Sequence, residues 1–161
     1  MAIVLTRIDN RLIHGQVLEA WVPYTRADCI VVANDQVAGM PLQCRLMAAA
    51  VPKHIQVVIG SLAEVNVSLR SERFAGSRVL LLFETSRDAL QARRLGIRFN
   101  RLNLGNMHAG DGKIRFSCTL ALDPADIRNL TQLEASGVSI ACQCIPADKE
   151  RPWRKLIREE S

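Results

Sequence analysis

The chain has 161 residues, 48% of them hydrophobic and 23% charged, which is enough apolar material for one core and too much for a disordered segment. Its formal net charge of +5 is spread along the sequence, and two Trp, one Tyr and four Phe leave little for base stacking, so a nucleic-acid partner is disfavoured. The longest apolar runs are strand-length, the start MAIVLTRID has no cationic leader, and five cysteines form an odd set; together these exclude membrane insertion and fit free thiols in a reducing cytoplasm.

Apolar runs alternate with helical periodicity from the first residues onward. Residues 2–9 read as a first strand and 15–26 as a first helix. A second strand over 28–34 (DCIVVAN) leads into helical periodicity over 36–51, with Pro41 near its start. A third strand is expected over 54–60. The helix after it, 61–72, begins with a capping-box pattern of Ser61 and Glu64. The run 77–84, containing VLLLF, is the fourth strand, and 86–95 is a helix closed by Gly96. A short strand over 101–104 runs into the glycine-rich GNMHAGDGK, and 114–117 is a minor strand. Asp123 caps a helix over 123–136 with Pro124 in its first turn and Gly137 beyond its end. A last strand spans 138–145, and the charged tail over 148–160 is anchored by Trp153 and Leu156.

Continuous apolar strands imply a sheet covered on both faces. The expectation is therefore a single α/β domain over 1–161: a three-layer, open, mainly parallel sheet with helices on both faces. Ligands of such sheets sit beyond the carboxyl ends of the strands, which gathers the loops 9–14, 34–35, 84–86 and 103–113 on one edge.

The first of these loops lies in RIDNRLIHGQVLEAW, and its His14 stands between the first strand and the first helix. A helix start offers free backbone N–H groups and partial positive charge, a setting for phosphate. Arg11 can add a forked cation. Asp9 can accept from one imidazole nitrogen and leave the other with a free lone pair. Gly15 lets an incoming group approach the backbone. By residue type alone, His14 is either a phosphoryl-carrying nucleophile or a loop histidine hydrogen-bonded to Asp9.

RIDNRLIHGQVLEAWV resembles the signature of the IIB component of the mannose/fructose/sorbose-type sugar phosphotransferase system, in which the corresponding histidine carries a phosphoryl group. IVVANDQVA, RVLLLFET, NLGNMHAGDGK and GVSIACQCIPADK resemble segments of the same family in the same order, so the similarity covers nearly the whole chain. It implies His14 as the phosphorylation site. Arg11 and the amides of Gly15 and Gln16 would then hold the phosphate, and Asp9 would orient the ring or Arg11. It also implies a IIA domain as donor, with the sugar as acceptor during transport by membrane components IIC and IID, and no cofactor. Many members have two glycines where Gly105–Asn106 stands here, a departure that bears on the shape of that loop and on partner or sugar preference.

Other motifs add less. His108 shares the edge of His14 and reads either as an accessory group or as a solvated loop histidine; His54 has no evident role. GDGK is not a nucleotide-binding loop, because Met107 and Ile114 stand where glycine and Ser/Thr are needed. No G-x-S-x-G or G-x-G-x-x-G follows a strand. Cys142 and Cys144 would share a strand face, but no second ligand pair completes a metal site. Two rivals to the carrier remain: a regulatory phosphoprotein with the same His14 chemistry but no transport partner, and a small phosphohydrolase, for which no second acid–base group is in view.

Overall fold

The computed structural model describes residues 1–117 and 119–159; Cys118, one of the five cysteines, and the end of the predicted tail at Glu160 lie outside them. Nine strands are described: β1 Ala2–Ile8, β2 Cys29–Ala33, β3 Gln56–Gly60, β4 Arg78–Phe83, β5 Arg101–Leu104, β6 Ile114–Arg115, β7 Ala121–Leu122, β8 Ser139–Cys142 and β9 Arg151–Pro152. Seven of them form one sheet in the order β3-β2-β4-β1-β5-β8-β9, parallel except for the terminal β8/β9 pair; β6 and β7 form a separate antiparallel ribbon. The expected mainly parallel α/β sheet is what the chain adopts.

Strand side chains alternate between two cores. Val79, Leu81 and Phe83 enter the core on one face and Leu80 and Leu82 the core on the other, all fully buried. Against the first face pack α4 Leu62–Ser68, α5 Ser86–Leu95, α6 Pro124–Ala135 and α7 Trp153–Glu159. On the opposite face lie the segment after β1 and α2 Asp35–Ala38. Among the described residues no helix is long and apolar enough to cross a membrane.

Several ends match their sequence signals. The boxes Ser61–Glu64 and Asp123–Asp126 both close, and Gly96 and Gly137 take φ of +111° and +99°. The helix expected over 36–51 is instead two: α2, and α3 Pro41–Ala50. Proline disfavours a helical residue before it, and Met40 accordingly has φ −118° and ψ 81°. The helix after β3 stops at Ser68 rather than residue 72, where a short 3₁₀ turn, Glu72–Phe74, follows. The strand expected over 138–145 ends at Cys142, so Cys144 lies beyond it in the loop to β9.

The helix expected over 15–26 begins as predicted but loosens into a π-turn at Val17–Trp21 before α1, Val22–Thr25. It ends on Arg26 in the left-handed region (φ 54°, ψ 37°). A side chain there costs energy that glycine does not. Arg26→Gly should therefore raise the unfolding free energy by about 0.5–1 kcal/mol, read as an increase in urea midpoint at unchanged slope; an unchanged or lower midpoint would contradict it.

Candidate functional site

β1 sits between β4 and β5, and the chain leaves its carboxyl end through Asp9. The Leu12 N–H donates to the Asp9 carbonyl at 2.9 Å, which closes a tight turn. Leu12 holds φ +55° with its side chain buried in the core. This fold-back lays the His14 ring over the Asp9 carboxylate, with Nε2 2.9 Å from Oδ2. An ionised carboxylate only accepts, so Nε2 carries the proton and the lone pair falls to Nδ1. Nδ1 is buried and has no hydrogen-bond partner among the described residues, and the His14 side chain is only 8% exposed.

Asp9 is fully buried. Besides His14, Oδ2 receives Asn106 Nδ2 at 3.0 Å and Arg7 Nε at 3.3 Å, while Oδ1 receives the Arg11 N–H at 3.1 Å. Burial alone would push this carboxyl up, but the His14 hydrogen bond, the Arg7 charge and the Asn106 donor together hold it below its ordinary value of 3.8. Its contribution to stability is therefore present above that value and is lost as pH falls through the lower folded-state one.

Arg7, also fully buried, organises the floor of the site. A guanidinium has five N–H donors, and each has an acceptor here. Nε–H goes to Asp9, and Nη1 serves Asn103 Oδ1 and, at 2.7 Å, the Gln143 carbonyl. Nη2 serves Gln16 Oε1 at 3.3 Å and the Cys144 carbonyl at 3.0 Å. Trp21 lies 4.9 Å from the guanidinium, and its indole N–H donates to the same Cys144 carbonyl at 3.0 Å. Burial opposes the guanidinium charge and Asp9 counters it, leaving Arg7 below its ordinary value. Gly105 is required alongside, because a Cβ there would collide with the Arg7 guanidinium. The π-turn, a form frequent at functional sites, carries Trp21 into this arrangement.

The structure thus brings together His14, Asp9 and Gln16, the last through its side chain to Arg7 and Asn106. The Leu18 N–H donates to the His14 carbonyl at 3.1 Å, so the amides of Gly15 and Gln16 precede the first bond of that helical segment. Among the described residues nothing lies within 4 Å of where a Gly15 Cβ would stand, so the backbone there is open to approach. Arg11 touches Asp9 only through its backbone, and its side chain is exposed. His108 is exposed, and no hydrogen bond or ion pair links it to the cluster among the described residues; His54 is exposed in the turn before β3. Burial pushes the thiols of Cys29 and Cys142 up to about 11 and about 12, so they are small core groups at neutral pH.

Sequence reasoning missed Arg7, Asn103 and the carbonyls of Gln143 and Cys144, and noticed Asn106 only for its backbone. One signal was available: an arginine inside the apolar run IVLTRI, where a buried charge demands partners.

Residues 3–161 match the family model described as the PTS system sorbose subfamily IIB component. The N-acetylgalactosamine-specific phosphotransferase enzyme IIB component 2 of Escherichia coli (strain K12) is 38% identical over 96% of this chain and 98% of its own length. The mannose-specific EIIAB component of the same strain is 29% identical over 98% of this chain and 49% of its own length. Among solved structures, the IIBSor domain of the sorbose permease from Klebsiella pneumoniae superposes with a TM-score of 0.93 at 30% identity, over 100% of this chain and 99% of that one.

Proposed function

The chain belongs to the sorbose-type IIB family of the sugar phosphotransferase system and is a phosphotransferase component, and on that premise we propose that His14 accepts a phosphoryl group on Nδ1 and passes it to a sugar. The observation that carries this reading is the division of labour within one ring: Nε2 is held by a buried carboxylate while Nδ1 keeps an unused lone pair.

In the first transfer, the Nδ1 pair attacks the phosphorus of a phosphohistidine on a IIA domain. The N–P bond forms as the donor's P–N bond breaks, and that bond's electron pair returns to the donor nitrogen. With phosphorus on Nδ1 and a proton on Nε2, the ring becomes an imidazolium, and its charge faces Asp9 at 2.9 Å. The amides of Gly15 and Gln16 and the guanidinium of Arg11 are the donors at hand for the phosphoryl oxygens. In the second transfer a sugar hydroxyl oxygen attacks phosphorus, its proton leaves to solvent, and the P–N pair returns to Nδ1. Because the ring is nearly covered at rest, docking must shift what covers Nδ1 while Nε2 stays on Asp9, and the open space beside Gly15 leaves room for an incoming group.

The partners follow from the family: a IIA donor, and IIC and IID components with the sugar as acceptor. The name of the EIIAB relative couples an A and a B component. The name of the 38%-identical relative makes N-acetylgalactosamine the first sugar to supply. The test is incubation with phosphoenolpyruvate, enzyme I, HPr and a mannose-type IIA, followed by phosphorus NMR. Wild type should gain one acid-labile phosphoryl group with the Nδ1 signature, and folded His14→Gln none. Label on His14→Gln, or an Nε2 signature in wild type, sinks the reading.

A further inference from the structure

Asn106 lies just beyond β5, far in sequence from the motif around His14. Its side-chain amide donates to Asp9 Oδ2 at 3.0 Å and to Gln16 Oε1 at 3.4 Å, and its carbonyl accepts from the Asn10 N–H at 2.9 Å. A single oxygen, Asp9 Oδ2, therefore serves three donors: His14 Nε2, Asn106 Nδ2 and Arg7 Nε. We propose that Asn106 is a positioning residue that raises the phosphoryl-transfer potential of His14 by drawing off part of the Asp9 charge. This rests on the carrier reading above.

The argument follows the charge on the ring. Phosphorylation at Nδ1 with Nε2 protonated makes the imidazole cationic, and Asp9 is the anion that stabilises it. Each further donor on Oδ2 withdraws electron density that the ring would otherwise feel. Arg7 cannot be spared from this oxygen, since its remaining donors are fixed on Asn103, Gln16 and two carbonyls. The other contact of the Asn106 amide, to Gln16 Oε1, is the longer one at 3.4 Å, so its amide is the adjustable member of the three. With it in place the phosphoimidazolium is less stabilised and the P–N bond breaks more readily when the pair returns to Nδ1. Among the described residues, the other charged or titratable groups facing the cluster are Arg11, which meets Asp9 through its backbone N–H, and the Cys144 thiol, which faces Arg7. Neither competes for Oδ2.

Two substitutions test this: Asn106→Ala, which removes the donor, and Asn106→Ser, which restores a shorter one. In the unphosphorylated protein the carbon-13 titration of the Asp9 carboxyl should move upward in Asn106→Ala, since one donor that lowers it is gone. At equilibrium with a phosphorylated IIA domain, the phosphoryl group should shift toward the Asn106→Ala chain by about three- to tenfold, and phospho-His14 should hydrolyse more slowly. Asn106→Ser should fall between. An unmoved Asp9 titration overturns the hydrogen bond. A moved titration with unchanged partition, or a change only in KM for IIA, overturns the link to transfer potential. If wild type takes no phosphoryl group at all, the carrier reading fails first, and it takes the potential with it while the titration still reads the bond.

Discussion

Replacing Arg7 by leucine should lower the unfolding free energy by about 3–5 kcal/mol, measured by urea denaturation at neutral pH. Bringing this guanidinium and the Asp9 carboxylate out of water costs several kcal/mol per ion. The opposing gain comes from five matched donors and the Trp21 face. Leucine removes the gain and retains half of the cost. Asp9 would stay buried without its cation, and Asn103 and the carbonyls of Gln143 and Cys144 would lose their donor. Since a domain of this size is stabilised by about 5–15 kcal/mol in total, such a loss is a large fraction of the whole. Lysine would fare little better, having three donors on a point charge where a planar fork is required. A loss under about 1 kcal/mol for Arg7→Leu would show that this cluster is not the structural centre its geometry indicates.

Asp9→Asn should slow phosphoryl acceptance by about 10²- to 10⁴-fold, measured as the initial rate of labelling by phosphorylated IIA and corrected for folded fraction. The substitution is nearly isosteric, and an amide oxygen at the Oδ2 position still accepts from His14 Nε2, Asn106 and Arg7, while the amide nitrogen falls opposite the Arg11 N–H. What is lost is the anion that offsets the imidazolium formed in the transfer. Nitrogen-15 shifts of His14 should report an unchanged tautomer alongside the lower rate. A rate within threefold of wild type would remove Asp9 from the mechanism.

Parts of the fold with local causes were legible before any coordinates. Helix α6 needed only Asp123, Pro124 and Gly137, and α5 ended where Gly96 said it would. The break at Pro41 was visible as a residue, but its effect on Met40 was underweighted against sixteen residues of helical periodicity. Strand β9 was hidden because two residues in a charged tail acquire strand geometry only from Cys142 and Ala141 opposite them. The site divides in the same way. His14 and Asp9 are five residues apart and could be paired on paper, whereas Arg7 meets Asn103 and Cys144 across 96 and 137 residues. No periodicity encodes those separations, since the strand order β1-β5-β8 alone brings them together.

The collision between any Cβ at position 105 and the guanidinium of residue 7 has a consequence for descent. Neither site can drift by itself: a bulkier residue at 105 evicts the arginine, and losing the arginine first strands a carboxylate in the interior. Among variants selected at random for retained function, a replacement at 105 should surface only where residue 7 has changed too, and one at 7 only where residue 9 has changed with it.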